Sequence, residues 1–137
     1  MSKSERLSAN ERLFRRRLSA WRIALEKVYV SITGLQLKGQ RHFFRFWWHA
    51  IRSMAQARQA EGNIASDARF INGVHHTRTV WRDEGAMRRY LIAGAHLKAM
   101  KAFGSIATGK TLGFYCDTVP DWDDVHQAWQ SRGRQVG

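Results

Sequence analysis

This chain is poor in several features, and each shortage narrows the class of protein. Cys116 is the only cysteine, so no disulfide can form within the chain and a disulfide-stabilised secreted domain is excluded. No apolar run approaches the roughly 18 residues that a membrane-spanning helix needs. The N-terminus has no apolar signal core followed by a cleavage site. We therefore expect a cytoplasmic protein.

Acidic residues are also scarce. The sequence has 11 Asp and Glu against 23 Lys and Arg, which gives a formal net charge of +12. Residues 1–27 contain eight basic and three acidic residues and so contribute +5 of that total. Such an excess attracts nucleic acid and anionic membranes without specificity. Two interpretations stay open: a solvated basic face, which we favour, and a surface that binds anions.

The 137 residues, of which 44% are hydrophobic, are enough for one domain with a buried core. Residues 1–26 are predicted to form a basic amphipathic extension, with a helix over residues 10–26 capped by Asn10. A basic amphipathic helix can lie on a membrane surface, but packing against its own domain or a partner subunit is the interpretation we favour. Residues 27–137 then form the folded domain.

The pattern of residues 27–137 predicts the order β-α-β-β-α-β, followed by a C-terminal helix over residues 122–132. Alternating, β-branched runs predict four strands, over residues 28–33, 64–71, 74–81 and 111–116. An apolar stripe at helical spacing predicts a helix over residues 41–60 and consists of Phe44, Trp47, Trp48, Ile51, Met54 and Ala55. Asp83 can cap the next helix, and Gly94 should interrupt it before a second piece over residues 95–103.

The strongest local signal is Asn72-Gly73, which lies between two strand-like runs. Both central residues of a type I′ turn need positive φ, and Asn-Gly is the preferred pair there. The element order is that of a ferredoxin-like α+β fold, in which two helices cover one face of a four-stranded antiparallel sheet. The opposite face of the sheet must be covered as well.

Several short segments follow one another along the chain in a characteristic order. They are residues 30–33, 44–59, 62–64, 79–84, 86–88, 94–96 with Met100, 120–122 and 133–134. Together these segments resemble the dimeric α+β barrel superfamily, in particular its branch of antibiotic-biosynthesis-monooxygenase-like bacterial proteins. The resemblance implies a homodimer in which a second subunit covers the open sheet face. It also implies a monooxygenase-like activity that is compatible with cofactor-independent oxygenation.

Haem-degrading relatives in the wider group carry Trp and His ten residues apart on the second helix, and Asn on the first strand. The corresponding positions here look like Tyr90 and Met100, and the first strand has no Asn. This departure argues against haem degradation. We expect no cofactor.

His96 is the first candidate for a catalytic residue. It follows Gly94 at the predicted helix irregularity, where it could face a pocket between sheet and helices and act as a base at about pH 7. The alternative is a structural histidine that satisfies the loosened turn. His75 and His76 are neighbours on a strand and point to opposite faces, so they cannot ligate one metal. The histidine spacing indicates no metal site.

Six further residues are candidates for contacts to a small hydrophobic or aromatic ligand: Trp47, Arg52, His76, Arg78, Trp81 and Tyr90. The aromatic rings could form a wall for a planar molecule, and the arginines could hold a carboxylate or enolate. Core packing and ordinary salt bridges are the alternative explanations. The predicted function is therefore oxygenase-like chemistry on, or binding of, such a ligand. The alternative is a non-catalytic module that uses the basic N-terminal helix on nucleic acid or a membrane surface.

Residues 104–111 match the letters of a phosphate-binding loop, Gly-x-x-x-x-Gly-Lys-Thr. That motif needs a strand before it and a helix after it. Here the pattern predicts a helix before and a strand after, so we interpret the match as coincidental.

Overall fold

The computed structural model describes residues 8–13 and 27–136, and its centre is one antiparallel sheet. The strands are β1 (Val28–Leu37), β2 (Asn63–Ile71), β3 (Val74–Trp81), β4 (Ala107–Cys116) and β5 (Arg134–Val136). The helices of residues 27–136 are α1 (Phe43–Gln59), α2 (Glu84–Leu91), α3 (Gly94–Ile106) and α4 (Trp122–Arg132). The strand order is β2-β3-β1-β4-β5. The predicted ferredoxin-like α+β fold is therefore confirmed, and β5 is an edge strand that the sequence did not predict.

β1 is the central strand and pairs with both β3 and β4. Its partners fix which side chains share a face: Tyr29 lies opposite Trp81 on β3 and opposite Tyr115 on β4. Because side chains alternate along a strand, Tyr29 and its alternate neighbours face α1, α2 and α3. Val30 and Ile32 face the other side, where they are fully buried.

Local signals set the ends of several elements as predicted. Asn72 and Gly73 have φ of 49° and 80°, which gives the expected tight turn between β2 and β3. The Asp83 side chain caps α2 by accepting a hydrogen bond from the backbone N–H of Ala86 at 2.8 Å. α2 then ends at Leu91, and α3 begins at Gly94 with a φ of 53°. The predicted interruption of this helix is thus confirmed.

The helix predicted over residues 41–60 is present, but its buried face is not the predicted one. The buried residues are Phe46, Ser53 and Ala57, while Phe44 is 84% exposed and Trp48 is 62% exposed. α1 is apolar on both sides, so periodicity alone could not select a face. Ser53 and Ala57 are small and let the helix pack closely, which the bulkier stripe would prevent.

The sheet face opposite α1–α3 packs against α4. Val125 and Trp129 of this helix form one core cluster with Val30 and Ile32. A Cβ on Gly34 would lie 2.4 Å from the Trp129 indole, so glycine is required for this close approach. The resemblance implies a second subunit on this face, whereas α4 of the same chain covers this part of it. The homodimer stays a prediction.

In the described N-terminal segment, residues 8–13, residues 9–13 are helical, and the cap of this helix differs from the prediction. Ser8, not Asn10, is the cap: its hydroxyl accepts from the Glu11 backbone N–H at 3.2 Å, and the Glu11 carboxylate accepts from the Ser8 N–H at 2.8 Å. Most of the predicted basic helix, residues 14–26, lies outside the described residues. In the described part of the chain, no helix is long and apolar enough to cross a membrane.

Candidate functional site

A cavity of about 630 Å³ lies between the sheet and helices α1–α3. Its volume falls within the range of pockets for small molecules. Apolar side chains from the helices form its roof, among them Phe46, Trp47, Met54, Leu91, Met100 and Phe103. The cavity therefore offers an apolar surface to a ligand on the helical side.

The sheet side of the cavity is lined by hydroxyl groups. They belong to Ser31, Thr33, Thr77, Thr79 and Thr111 on the three central strands. The hydroxyls of Thr79 and Thr111 are used within the protein, by Trp81 Nε1 at 2.8 Å and by the Ile32 carbonyl at 3.1 Å. Among the described residues, no hydrogen bond engages the hydroxyls of Ser31 and Thr77. These two groups are free to bind polar atoms of a ligand.

His96 borders this cavity and is held in one tautomer. Its Nδ1 lies 3.0 Å from the Leu91 carbonyl oxygen, which can only accept, so Nδ1 carries the proton. The neutral ring therefore has its lone pair on Nε2, which has no partner among the described residues. Burial lowers the pKa of His96 below its usual value, and the bond to Leu91 opposes this only in part. His96 is thus a neutral base at about pH 7.

Gln56 on α1 holds the break between α2 and α3. Its Nε2 donates to the Ala93 carbonyl at 2.9 Å and to the Tyr90 carbonyl at 3.4 Å. Its Oε1 accepts from the backbone N–H of His96 at 2.8 Å. The amide thereby pairs the His96 N–H, which the first turn of α3 leaves without a backbone acceptor, and fixes the backbone of His96. The two carbonyls gain a second donor, since they already accept from the Ala93 and Leu97 N–H groups at 3.3 and 3.4 Å.

Tyr90 forms the wall beside His96, with ring centroids 4.6 Å apart. Its hydroxyl donates to the Ser53 carbonyl at 3.0 Å and lies 2.8 Å from the Ser53 hydroxyl. Burial raises the pKa of Tyr90, although the Ser53 hydroxyl opposes the shift. The phenol therefore stays neutral with its proton directed at the protein. Its role in the cavity is to present a ring face.

Of the two adjacent histidines, His75 has its ring on the cavity side. It packs between Phe46 and Phe70, with centroid distances of 4.6 Å to each, and burial lowers its pKa. His76 borders the cavity along its strand, but its ring bonds His126 of α4 at 2.8 Å on the opposite sheet face. The prediction of His76 as a ligand contact is therefore corrected in favour of His75.

Three other predicted contacts lie away from the cavity. Arg52 extends over the exposed Trp48 ring, 5.2 Å from its centroid, on the outer side of α1. Arg78 lies on the α4 side of the sheet, where it bonds the Pro120 carbonyl at 2.8 Å and Asp67 at 3.0 Å. Trp81 is fully buried beneath Tyr90. The two arginine predictions were wrong. The side chain of Arg78 points to the α4 side of β3, and the side chain of Arg52 points to the outer side of α1.

The structure thus brings together Trp47, Tyr90 and His96 of the predicted site. Sequence analysis missed Gln56, Ser31 and Thr77 as cavity or positioning residues. The hydroxyls alternate with apolar residues on neighbouring strands, and that signal becomes informative only once the strand register is known. No local pattern marks Gln56, because its partners are about forty positions away.

The remaining sequence motifs do not form a second reactive centre. Among the described residues, no group of three His, Cys, Asp or Glu side chains could hold a metal ion. The phosphate-loop letters run from helix α3 into strand β4, the reverse of the order that the motif needs. Burial raises the pKa of Cys116, which makes it a poor nucleophile.

Three solved structures show where this fold recurs. SnoaB, a cofactor-independent oxygenase from Streptomyces nogalater, is 18% identical, with a TM-score of 0.58 over 69% of this chain and 99% of that chain. A protein of unknown function from Bacteroides thetaiotaomicron, described as a possible oxidoreductase, is 13% identical, with a TM-score of 0.59 over 66% and 98%. A Nitrosomonas europaea protein named for antibiotic biosynthesis monooxygenases is 12% identical, with a TM-score of 0.57 over 65% and 88%.

The chain has the fold of the antibiotic-biosynthesis-monooxygenase-like proteins. The resemblance inferred from its short segments is confirmed at that level. No model of a known protein family and no curated protein matches the sequence. At such low identity the similarity concerns the fold alone, so residue roles must be argued from this chain's own geometry.

Proposed function

We propose that this protein binds a small hydrophobic or aromatic molecule in the cavity and oxygenates it without a cofactor. His96 is the base, and molecular oxygen is the oxidant. The observation that carries the proposal is the His96 ring, which borders the apolar cavity, has its Nδ1 proton held by Leu91 and leaves Nε2 without a partner among the described residues. The shared fold with a cofactor-independent oxygenase supports the reaction class.

The lining of the cavity defines the ligand. Its roof is apolar. Among the described residues that line it, Arg69 alone carries a formal charge, and the Arg69 guanidinium lies over the Trp122 ring on the α4 side of the sheet. The free hydroxyls of Ser31 and Thr77 lie opposite the roof. A flat, neutral molecule with a phenol or ketone oxygen along one edge would satisfy both sides. A highly charged ligand would lose its hydration without compensating ion pairs.

In the proposed reaction, the substrate itself supplies the electrons. His96 Nε2 takes a proton from an activated CH₂ group beside a phenol-bearing ring, which leaves a carbanion. The carbanion transfers two electrons to O₂, and a C–O bond forms to give a peroxide anion. The imidazolium returns its proton to give the hydroperoxide. Loss of water then breaks the O–O bond and leaves a ketone in place of the CH₂ group.

Binding is tested with 1-naphthol as a fluorescent probe, and turnover with an anthrone and an oxygen electrode. His96→Ala should slow oxygen uptake by about 10²–10⁴-fold, the usual contribution of a general base. His49→Ala on α1 is the matched control, because His49 contacts Phe103 without bordering the cavity. Equal loss in both variants, or wild-type turnover in His96→Ala, would refute the role of His96.

The same experiments separate catalysis from plain binding. Probe binding without oxygen uptake from any activated anthrone would leave a ligand-binding protein and reject the oxygenase. Native mass spectrometry of the loaded protein tests the homodimer that the resemblance implies, independently of the site. A monomer that still binds the probe would reject the homodimer without affecting the proposed site.

A further inference from the structure

The outer side of α1 carries an exposed apolar surface, here called the outer ridge. It consists of Phe43, Phe44, Trp47, Trp48 and Ile51. Phe44 is 84%, Trp48 62% and Ile51 57% exposed. Isolated apolar side chains on a surface are ordinary, but a contiguous group of large ones marks an interaction surface. The ridge faces away from Phe46, Ser53 and Ala57, so it takes no part in the core.

The formal charges on the segment that carries the ridge are all of one sign. Between Gly39 and Ala60 the chain has four arginines, Arg41, Arg45, Arg52 and Arg58, and no Asp or Glu. None of the four takes part in the ion pairs of the described residues, which involve Arg78, Arg82 and Arg88. The arginine side chains are therefore available to an anionic partner.

We propose that the outer ridge docks this protein on the surface of an anionic lipid bilayer. Aromatic rings prefer the region between lipid headgroups and acyl chains, and flanking arginines reach the phosphates beside them. A helix that lies in this plane combines an apolar face with basic neighbours, which is the composition of the outer side of α1. Both properties of the ridge are then used at once.

Charge complementarity disfavours the other occupants. A second copy docking through the same ridge would bring arginines against arginines. The N-terminal residues 1–27 have a formal charge of +5 and would meet the same repulsion. Nucleic acid offers phosphates but little apolar area for Phe44 and Ile51. An anionic bilayer matches the charge and also removes the apolar side chains from water.

The ridge is continuous with the cavity through Trp47, which belongs to both. Docking would thus place one wall of the cavity at the lipid boundary. A consequence, which rests on the proposed function, is that an apolar substrate can enter from the bilayer. The vesicle experiment below uses no such substrate, so the docking proposal stands or falls separately.

The test is co-sedimentation of the full chain with vesicles of phosphatidylglycerol and phosphatidylcholine, against vesicles of phosphatidylcholine alone. We expect binding to the anionic vesicles that weakens as salt rises from about 0.1 M to about 0.5 M. Phe44→Ser and Trp48→Ser should each weaken binding about tenfold, since each removes one aromatic ring from the interface. Ile92→Ser, an exposed apolar position in the break between α2 and α3, is the matched control.

The charge contribution is tested with Arg45→Gln/Arg52→Gln, which should weaken binding to anionic vesicles. Arg132→Gln/Arg134→Gln removes the same charge from α4 and β5 and should have a smaller effect. Thermal unfolding checks that every variant is folded. We expect all of them to be folded, because the substituted positions are exposed. Wild-type vesicle binding in the ridge variants overturns the proposal. The proposal is also overturned if a ridge variant keeps its vesicle binding and loses only self-association or only nucleic-acid binding. The ridge would then be the binding surface for a second copy or for nucleic acid.

Discussion

Replacing Gln56 with alanine should loosen the break between α2 and α3 and release His96. The substitution removes the hydrogen bonds to the Ala93 carbonyl at 2.9 Å and from the His96 N–H at 2.8 Å, as well as the longer one to Tyr90. A typical hydrogen bond contributes about 0.5–1.5 kcal/mol net. Because water can reach part of this region, we expect a loss of about 1–3 kcal/mol in the free energy of unfolding.

The effect should also reach the imidazole of His96. Without the Gln56 brace its backbone is free to shift, the ring becomes better hydrated, and its lowered pKa should move up toward the ordinary value. Gln56→Glu distinguishes the acceptor role of the Gln56 amide from its donor role. It keeps an acceptor for the His96 N–H but places a carboxylate beside two carbonyl oxygens. The stability that this variant loses relative to the wild type at the same pH should therefore shrink as the pH falls and the carboxyl becomes a donor.

The assays are urea unfolding followed by fluorescence and an NMR titration of the His96 ring. Gln59→Ala is the matched control, because it makes the same substitution on the same helix at an exposed position. The interpretation would be refuted if Gln56→Ala changed stability no more than Gln59→Ala and left the His96 titration unaltered. In that case the break would be held by Gly94 alone, whose φ is 53°.

Two other predictions concern pH and packing. Burial lowers the pKa of His75, His76 and His96 below 6.5, so the unfolded chain takes up protons first as pH falls. The free energy of unfolding should therefore be highest above about pH 6.5. Below that pH it should fall by at most about 1.4 kcal/mol per pH unit for each histidine, until the pH reaches the pKa values of the folded state. Urea unfolding at several pH values measures this slope, and His96→Asn should reduce it; an unchanged slope would contradict the assignment. Gly34→Ala would place a Cβ 2.4 Å from the Trp129 indole and should destabilise by about 1–3 kcal/mol. Gly104→Ala on α3, with nothing within 4 Å, should be neutral or slightly stabilising, and thermal unfolding compares the two.

The element order could be predicted because its signals are local. The Asn72-Gly73 turn, the Asp83 cap and the Gly94 interruption depend on neighbouring residues, and all three appear where they were expected. β5 was missed, because its three residues pair only with the edge of β4 and have no pattern of their own. Its existence depends on an edge that only the folded sheet provides.

The site was predicted less completely, for a physical reason. His96 was found because glycine marks the break before it. Arg78 was placed wrongly because a strand has two faces and the sequence does not say which one meets the helices. Arg52 was placed wrongly for a similar reason, since α1 has apolar residues all round. Gln56 was not found, because its partners come from an element far along the chain.

The sequence by itself determined the succession of helices and of the first four strands, the tight turn, the Asp83 cap and the excess of positive charge. These follow from backbone preferences and composition, which act over a few residues. The tertiary structure decided which side of α1 is buried, that α4 packs on the second sheet face, that the hydroxyls of the central strands line one cavity, and that Gln56 holds the backbone of His96 beside it. These outcomes require side chains distant in sequence to compete for the same space, and that competition is settled only when the chain is folded.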